Sequence, residues 1–527
     1  MCARGTETSQ LSAPVSAPVW SVDPRTGNRR EQVATEATAE EIDKTVRAAH
    51  TAAPALADRA QRARLLRAAA DLFDQHVDKV VECADAETAL GPGRLSGELT
   101  RTTYQLRAFA DIAEAGDFLD VRIDHADASL VPPRPDLRRW KVPLGVVAVY
   151  SASNFPLAFS VPGGDTASAL AAGCPVVVKA HPDHPGTSEL CAALLHRAAA
   201  EAGLPQEVLS VVHGFDAGVE LVRHPLVAAA GFTGSVRGGR ALFDAAAARP
   251  RPIPFHGELG SLNPVVVSEA AAAERAEEIG AGLAGSMTLG VGQFCTKPGL
   301  VLVPAGEAGD RLVTSLTAAV SDTEPGVMLD PRMRTAFIAG VRERAELPGV
   351  ESPVTPGANG EHTVSGGFLT VDAERLAGGG DYDLLVEECF GPVTVIVRYG
   401  DVAQVSAVLA RLPGNLTATA HLGAAEAAGT EDAGDAGAAR LLAELTPLAG
   451  RVLVDGWPTG VAVAPAQHHG GPYPATTSTS TSVGGTAIER WLRPVTYQNT
   501  PQPLLPAELR DADPADVPRT VNGVRQS

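Results

Sequence analysis

The chain has 527 residues, of which 45% are hydrophobic, and its mean hydropathy is +0.03, so it has enough apolar material for more than one folded core. Its 43 Lys and Arg residues against 62 Asp and Glu residues give a net charge of −19, which argues against nucleic acid as a partner. No apolar run approaches the roughly 18 residues that a membrane-spanning helix needs, and no basic start precedes an apolar core, so we expect a cytoplasmic protein that binds no membrane.

The first part of the chain predicts helices followed by a hairpin. From Glu40, apolar residues recur at three- and four-residue spacing between charged residues, which predicts two or three amphipathic helices. Residues 118–143 then alternate apolar and polar side chains and carry prolines near a turn. This pattern predicts a β-hairpin that projects from the body of the protein.

The middle of the chain predicts two α/β units. From Gly145, short runs rich in Val and Ala alternate with helical stretches, and continuous apolar runs are typical of parallel strands covered on both faces. This predicts a doubly wound sheet. A second α/β series extends from Leu262 to about Leu422. Residues 501–527 are rich in proline and acid, and we expect them to be poorly ordered.

The cysteines point to one reactive candidate. The chain has 6 cysteines with no Cys-x-x-Cys pair, which argues against a disulfide framework and against a thiolate zinc cluster. Cys295 lies in GVGQFCTKPG, among glycines and polar residues, whereas Cys174 and Cys191 lie in apolar runs. A ligand can reach a thiol in such a turn, but a buried packing cysteine is the alternative for this motif alone.

Two more segments place polar side chains at positions where α/β proteins bind ligands. Asn154, in SASNFP, follows the strand candidate GVVAVY and would therefore lie at the carboxyl end of that strand. Glu258, in GELGSLNP, lies among glycines and apolar residues, so we expect burial to raise its pKa toward neutrality. Each has a structural alternative, since an Asn can satisfy a turn and a Glu can cap the element that follows it.

Six segments occur together in a familiar order: VPLGVVAVYSASNFPL, VVVKAHP, GFTGS, GELGSLNP, GQFCTKPG and EECFGP. On these motifs the chain resembles the NAD(P)-dependent aldehyde dehydrogenase superfamily from about Thr35 to Gln498. Within it, the chain resembles the branch that oxidises 2,5-dioxopentanoate to 2-oxoglutarate, on the segments KAHPDHPGTSE, HGGPYPATT and RPVTYQN.

The resemblance implies an α/β protein with a Rossmann-type cofactor-binding domain, an α/β catalytic domain and a small bridging β element. It also implies that the bridging element joins subunits into a homodimer or homotetramer. The predicted boundaries are 1–117 and 144–259 for the cofactor domain, 260–450 for the catalytic domain, 118–143 and 478–500 for the bridging element, and 501–527 for the tail.

The resemblance assigns three catalytic roles. It implies that Cys295 is the nucleophile that attacks the aldehyde carbon, and that its own N–H and the side-chain amide of Asn154 hold the developing oxyanion. Glu258 would activate the water that hydrolyses the resulting thioester. Because free cysteine has a pKa of about 8.5, the site must activate the thiol.

Cofactor binding is implied by a different glycine motif from the usual one. No Gly-x-Gly-x-x-Gly follows the first predicted strand. By resemblance, Gly231 and Gly234 in GFTGS permit the turn, and Ser235 opens a helix whose N–H groups face the pyrophosphate. The other implied cofactor contacts are Lys179 at the adenine ribose, Glu388 at the nicotinamide ribose and Phe390 beside the nicotinamide ring.

Position 182 bears on the choice between NADP and NAD. NAD-preferring relatives often carry Glu three residues after the lysine, but here the residue is Pro182, so a 2′-phosphate would not be repelled and NADP is favoured. No arginine could be aligned to hold that phosphate. His181 is a candidate contact, with a solvated loop histidine as the alternative. His181 and His184 also resemble a metal pair, but no third ligand lies nearby in the sequence and we expect no metal.

An anionic aldehyde needs a cation beside its channel. Arg101 and Arg107 are six residues apart, roughly 120° around a helix, and either could meet a distal carboxylate, although solvated arginines are the alternative. By analogy, Phe155 and Phe294 would line the aldehyde channel, and otherwise they are core aromatics.

Three rival functions remain open at this point. The enzyme could act on another semialdehyde or on an aliphatic or aromatic aldehyde. A relative that transfers the acyl group to coenzyme A would not need Glu258. A catalytically silent relative would bind nucleotide without reaction.

Overall fold

The described backbone, residues 16–429, 437–512 and 516–526 of a computed structural model, forms five β-sheets with helices packed on them. The α-helices are α1 (Ala39–Ala52), α2 (Arg59–Gln75), α3 (Val77–Thr88), α4 (Pro92–Ala115), α5 (Gly164–Ala172), α6 (Pro185–Glu201), α7 (Phe215–Arg223), α8 (Val236–Ala247), α9 (Glu269–Thr288), α10 (Glu307–Ser321), α11 (Pro331–Ala345), α12 (Ala373–Gly378), α13 (Val402–Leu409), α14 (Ala424–Ala428) and α15 (Gly437–Leu445). The strands are β1 (Pro18–Asp23), β2 (Asn28–Thr35), β3 (Val121–Asp124), β4 (Leu137–Pro143), β5 (Val146–Tyr150), β6 (Val176–Lys179), β7 (Leu209–Val212), β8 (Val227–Thr233), β9 (Phe255–Glu258), β10 (Val265–Val267), β11 (Leu300–Pro304), β12 (Gly326–Val327), β13 (Glu351–Val354), β14 (Gly357–Asn359), β15 (Thr363–Ser365), β16 (Gly367–Asp372), β17 (Val393–Tyr399), β18 (Asn415–His421), β19 (Ala449–Val454), β20 (Leu492–Gln498), β21 (Arg519–Val521) and β22 (Val524–Gln526).

The first α/β unit is built on a parallel sheet with the strand order β7-β6-β5-β8-β9. Every residue of β5 is buried, as expected for a strand with helices on both faces. The chain adds β6 and β7 on one side of β5 and then crosses to place β8 on the other side. Parallel α/β sheets bind ligands at such a reversal, beyond the carboxyl ends of the strands. The predicted doubly wound fold is therefore confirmed.

The second α/β unit is built on a seven-stranded sheet with the order β13-β16-β17-β11-β10-β18-β19, in which only β13 runs antiparallel to its neighbour. Cys295 precedes β11, and Glu388 precedes β17. The amino ends of these strands therefore face the carboxyl edge of the first unit, and a hydrogen bond of 3.0 Å from Asn154 Nδ2 to Gln293 O joins the two edges.

A third sheet, which we name the terminal sheet, has the order β20-β4-β3-β21-β22. Strands β3 and β4 pair antiparallel, as the alternation in the sequence predicts. Strands β21 and β22 come from the end of the chain, and β21 pairs with β3 in parallel. None of the helices in the described parts of the chain combines the length and apolar character needed to cross a bilayer.

The expectation of a poorly ordered tail is wrong for residues 501–512 and 516–526. Leu505 and Leu509 are buried in the core of the first unit, with 1% and 0% of their surface exposed. The buried Arg138 donates to Leu509 O at 2.7 Å and to Asp511 Oδ1 at 2.8 Å. The proline- and acid-rich composition predicted disorder. The prediction failed because composition does not show that Leu505 and Leu509 pack in the core.

Replacing Leu509 with alanine should reduce stability by about 2–5 kcal/mol, because it removes fully buried methyl groups and leaves a cavity. Leu504→Ala is the matched control, since Leu504 is 73% exposed and its loss should change stability by no more than about 0.5 kcal/mol. Urea unfolding followed by fluorescence measures both. Equal midpoints for the two variants would show that the tail does not contribute to the core.

Candidate active site

Cys295 lies in a tight loop between α9 and β11. Gly290 and Gly292 have φ angles of +56° and +64°, which glycine adopts without strain, and they turn the chain out of the preceding helix. Asn263 Nδ2 donates to Cys295 O at 2.8 Å and to Lys297 O at 3.0 Å, which fixes the loop on both sides of the thiol. Within the described residues, the Cys295 N–H donates to no acceptor and is free to hold an oxyanion.

The thiol belongs to a cluster with one carboxylate and one imidazole. Glu258 ends β9, and its Oε1 lies 3.1 Å from Nε2 of His469. The same Nε2 lies 3.8 Å from Sγ of Cys295. Ser482 Oγ donates to the other carboxylate oxygen of Glu258 at 2.8 Å. Glu258 and His469 are 3% and 1% exposed, so water does not screen these contacts.

The pKa directions follow from this geometry. Burial raises the pKa of Glu258, but His469, through its charge and hydrogen bond, together with hydrogen bonds from Ser482 and Cys295, leaves the pKa of Glu258 below its usual value. The expectation that the pKa of Glu258 is raised is therefore wrong. Burial, followed by the neighbouring Glu258 charge, raises the pKa of Cys295 well above that of a free thiol. The thiol therefore needs an acceptor for its proton, and both partners in the cluster supply one.

His469 is a site residue that the sequence reasoning did not assign. It opens the segment HGGPYPATT, which the resemblance used as a branch motif without giving any residue in it a role. The segment is held on the end of β9, because Thr477 N donates to Gly257 O at 3.0 Å and Leu259 N donates to Ala475 O at 2.7 Å. A second His next to a Gly-Gly pair was the available signal, but nothing in the sequence links it to Glu258, 211 residues earlier.

Asn154 is placed beside the Cys295 loop, as its position after β5 predicts. It is 8% exposed, and its Nδ2 donates to Gln293 O at 3.0 Å, which leaves a second N–H on the same nitrogen. Arg94 Nη2 donates to Asn154 O at 2.5 Å. Glu98 accepts two backbone N–H bonds from the same loop, at 2.8 and 2.9 Å. The loop is therefore fixed from helix α4.

Aromatic rings and buried arginines stand next to this loop. Phe155 and Phe294 meet edge to face with ring centroids 5.3 Å apart, and Arg94 lies over both rings at 5.0 and 4.7 Å. Arg101 lies 5.2 Å over the ring of Phe159. Arg94 Nη1 and Arg101 Nη2 are both buried and find no hydrogen-bond partner among the described residues. Burial lowers the pKa of both guanidinium groups, because the charged form is less stable away from water than the neutral form.

The structure separates the two arginines that the sequence paired. Arg107 points away from the site and forms exposed ion pairs with Asp71 and Asp74 at 2.6 and 2.7 Å. Its predicted contact with a substrate carboxylate is therefore wrong. The angle of about 120° that separates it from Arg101 on the helix puts it on the face that packs against α2, where these acids lie.

The GFTGS segment lies at the end of β8, next to the strand reversal. Gly231 lies inside β8 and has no positive φ, so the expectation that it permits a turn is wrong: a Cβ there would overlap the Asp165 carboxylate. Gly234 likewise has no positive φ, and a Cβ on it would press on the Phe232 ring at 2.8 Å. Both positions need glycine for space. Ser235 caps α8, as predicted, by accepting from Gly238 N at 3.2 Å.

An open cleft of about 940 Å³ runs from the start of α8 to the loop before β17. Ser235, Glu388 and Phe390 all line it. Burial, opposed by the Lys297 charge, raises the pKa of Glu388 to about 7. Three of the predicted cofactor residues thus share one groove, and the groove is wide enough for an extended nucleotide.

Lys179 and His181 lie at the end of β6, on the other side of the strand reversal. Burial lowers the pKa of Lys179 to about 8. His181 Nδ1 lies 3.3 Å from Asp183 Oδ2, and its ring stacks on His184 with centroids 5.7 Å apart. Burial, together with the competing titration of His184 and the Lys179 charge, lowers the pKa of His181 well below 6.5, so the ring is neutral at pH 7.

Comparison with known proteins identifies the family. A model of the aldehyde dehydrogenase family matches residues 13–420. The chain belongs to the aldehyde dehydrogenase family. The protein is accordingly an NAD(P)-dependent oxidoreductase that acts on aldehydes, and the resemblance found in the sequence is confirmed.

Two curated relatives and one solved structure illustrate the similarity. The chain is 48% identical over 470 residues to alpha-ketoglutaric semialdehyde dehydrogenase 2 from Azospirillum brasilense, covering 88% of this chain and 87% of the relative. It is 42% identical over 496 residues to the alpha-ketoglutaric semialdehyde dehydrogenase of Acinetobacter baylyi, covering 93% and 92%. Aldehyde dehydrogenase 21 from Physcomitrella patens, crystallised with the reaction product succinate, superposes with a TM-score of 0.76 at 21% identity over 92% of this chain and 95% of that one. At that identity the structural match shows a shared fold.

Replacing His469 with asparagine should lower kcat by about 10²-fold and move the acid limb of the pH–rate profile to higher pH. The imidazole lowers the pKa of Glu258, and the ionised carboxylate is lost as the pH falls through that pKa, so removing the imidazole raises the pH at which activity disappears. His468→Asn is the control, because within the described residues this neighbouring ring forms no hydrogen bond or ion pair with Glu258 or Cys295. An unshifted acid limb in His469→Asn would contradict the role assigned to the cluster.

Proposed function

We propose that the protein oxidises 2,5-dioxopentanoate to 2-oxoglutarate. The observation that carries the proposal is the pair of buried guanidinium groups, Arg94 and Arg101, each with an N–H that has no partner within the described residues. The aromatic rings beside Cys295 hold both arginines. The two relatives named alpha-ketoglutaric semialdehyde dehydrogenase support the same substrate.

The charge balance around α4 favours an anionic substrate. A buried N–H without a partner costs about 1–3 kcal/mol, and a carboxylate that accepts from a guanidinium removes this cost. Glu98 acts on both arginines, and burial raises its pKa, which weakens it as a counter-ion. Glu258 acts on Arg101 more weakly than Glu98 does. Arg101 acts on the thiol as well, since its charge opposes the rise in the pKa of Cys295. A substrate with a carboxylate at one end and an aldehyde at the other offers an acceptor to the arginine N–H groups and a carbonyl carbon to the Cys295 thiol.

The residues of the cluster account for attack on the aldehyde. The proton leaves Sγ of Cys295 for a ring nitrogen of His469 or a carboxylate oxygen of Glu258. These two atoms and the sulfur lie within 4.8 Å of one another. The thiolate then adds to the carbonyl carbon. The free N–H of Cys295 and the second N–H of Asn154 donate to the oxyanion, and each such donor is typically worth about 10²–10³ in kcat.

The site also provides for release of the acid. After oxidation the acyl group remains on Cys295 as a thioester. Glu258 is ionised at neutral pH because its pKa is lowered, so it is ready to take a proton from water, and His469 and Ser482 hold the carboxylate in place. A base positioned against the nucleophile favours hydrolysis over transfer to coenzyme A.

The structure offers a fitting place for NAD(P). The α8 N-terminus, with its cap Ser235, can hold the pyrophosphate, and Glu388 and Phe390 line the same cleft. Lys179 has an ammonium group without a hydrogen bond or ion pair in the described chain, which suits the adenosine end. When bound, the nicotinamide supplies the hydride acceptor for the oxidation. The residues named here would bind and orient it, and Glu388 would accept hydrogen bonds from the hydroxyl groups of its ribose.

We further propose that NADP is preferred to NAD, because Pro182 stands where a carboxylate would accept from the ribose hydroxyls and repel a phosphate. Initial rates with both cofactors test this. The expected result is a kcat/KM at least 10-fold higher with NADP⁺ than with NAD⁺. A higher value with NAD⁺ would reverse the assignment.

We also propose that the first α/β unit is the cofactor domain, the second is the catalytic domain, and the terminal sheet bridges subunits in a homodimer or homotetramer. Strand β20 forms one edge of this sheet, and Val131, in the loop between β3 and β4, is 98% exposed. Exposed strand edges and apolar loop tips favour a partner subunit. Light scattering should give a mass of two or four chains, and a mass of one chain would refute the assembly.

Replacing Arg101 with methionine should lower kcat/KM for 2,5-dioxopentanoate by about 10²-fold, because it removes a charge-assisted hydrogen bond to the substrate carboxylate. Oxidation of pentanal, which has no carboxylate, should fall by less than about 3-fold, because it loses only the weak effect of the Arg101 charge on the pKa of Cys295. The matched control is Arg107→Met on the same helix, whose ion pairs lie at the surface.

Thermal unfolding shows whether Arg101→Met folds, and Arg101→Lys, which keeps the charge, should recover part of the activity. Equal losses on both aldehydes in a folded Arg101→Met protein would remove the substrate assignment. Wild-type kcat/KM values that do not distinguish the two aldehydes would do the same.

A further inference from the structure

Phe215 is a large aromatic residue exposed in an unusual place. It opens α7, directly after the carboxyl end of β7, and 61% of its surface is exposed. Two cations lie over its ring: Lys179 Nζ at 5.0 Å and Arg332 Cζ at 5.6 Å from the centroid. Lys179 comes from β6 of the first α/β unit, whereas Arg332 comes from α11 of the second. The ring thus sits at a contact between the two units.

The ammonium group of Lys179, beside Phe215, has no counter-ion in contact with it within the described residues. The residue is 9% exposed, and within the described residues its ammonium group makes no hydrogen bond and no ion pair. The acids Asp183 and Glu36 act on it only at longer range. A lysine that is buried without a partner is stabilised by an anionic ligand.

Arg332 is held in place from its own helix and reaches across to the first unit. Asp330 caps α11 and contacts Arg332 Nη2 at 3.1 Å, while Asp183 Oδ1 of the first unit lies 3.5 Å from the same nitrogen. Burial and the nearby Asp330 charge raise the pKa of Asp183 well above 3.8, which weakens it as a counter-ion. The Arg332 side chain is 64% exposed, and within the described residues its Nε and Nη1 groups donate no hydrogen bond.

The location of Lys179 and Phe215 at the carboxyl ends of β6 and β7 indicates which part of a nucleotide would lie beside them. The α8 N-terminus, beside the strand reversal, suits the pyrophosphate, and strands β6 and β7 lie on the far side of β5 from it. In doubly wound folds the residue that contacts the adenosine ribose comes from this side, and an arginine there accommodates a 2′-phosphate. The sequence offered no arginine near Lys179 for that role. The structure supplies one from the other unit.

We propose that Arg332 and Lys179 together bind the 2′-phosphate of the adenosine moiety, that Phe215 packs against the adenine, and that the nucleotide thereby ties the second α/β unit to the first. This rests on the proposed use of NADP. Two cations and an aromatic face match a phosphate on a nucleoside: the cations pair with the dianion, and the ring offers a stacking surface for the base. Arg332 is then a specificity-determining residue outside the cofactor domain.

The test is calorimetric binding to the full-length protein without turnover. The two probes are adenosine 2′,5′-bisphosphate and 5′-AMP, which differ only in the 2′-phosphate. Arg332→Gln should weaken binding of the bisphosphate at least 10-fold and that of 5′-AMP less than 2-fold. Arg332→Lys should recover part of the difference. Phe215→Leu should weaken both probes by a similar factor, because both contain adenine.

Arg342→Gln is the matched control, because Arg342 lies on the same helix and is 73% exposed. It should leave both affinities unchanged. Equal weakening of the two probes by Arg332→Gln, or no weakening of either, would overturn the proposal, as would a wild-type protein that binds both probes equally. The last result would also remove the NADP preference but would not touch the substrate assignment, which the aldehyde comparison decides. Thermal unfolding of each variant confirms that it is folded.

Discussion

The hydrogen bond between Glu258 and His469 is the contact on which the active site depends. Glu258 ends a strand of one sheet, His469 begins the segment that lies across that strand, and Cys295 precedes a strand of the other sheet. Nε2 of His469 therefore contacts both the carboxyl edge of one parallel sheet and the amino edge of the other. Because the contact is buried, it is electrostatically strong, and it reverses the effect of burial on the carboxylate pKa. The acid remains charged in an apolar setting, ready to act as a base.

The sequence was most informative where one short motif carries both the local structure and the chemistry. The Val-rich runs predicted the parallel strands, and the polar residues directly after or before them, Asn154, Glu258 and Cys295, do lie together. Contacts between distant segments could not be predicted in this way. His469 is 211 residues from Glu258, and without it the burial of Glu258 predicted the wrong direction of its pKa shift. The chemistry of a group depends on its nearest charges, which a single motif does not contain.

Helical periodicity and composition had the same limit. Periodicity placed Arg101 and Arg107 on different faces of one helix but could not say which face met the site, and the acids Asp71 and Asp74 on a neighbouring helix decided it. Arg94 belongs to the same helix and was overlooked, because nothing in the sequence showed that its guanidinium would cover two phenylalanine rings. For residues 501–512, the composition predicted disorder, but the burial of Leu505 and Leu509 fixes the segment in the core. In each case the missing information was the identity of the packing partner.

The pairing of β21 with β3 in the terminal sheet has a consequence for how the chain is made. The two strands lie about 400 residues apart in the sequence, and their register joins Val121 with Arg519 and Ile123 with Val521. At the pace of translation, a nascent chain must wait for tens of seconds after β3 emerges from the ribosome before its partner exists. Throughout that interval the edge of β3 has free backbone groups that can recruit another unfinished chain. Completion of this sheet therefore comes late in synthesis, and β21 closes off a route to aggregation that stays open until it emerges.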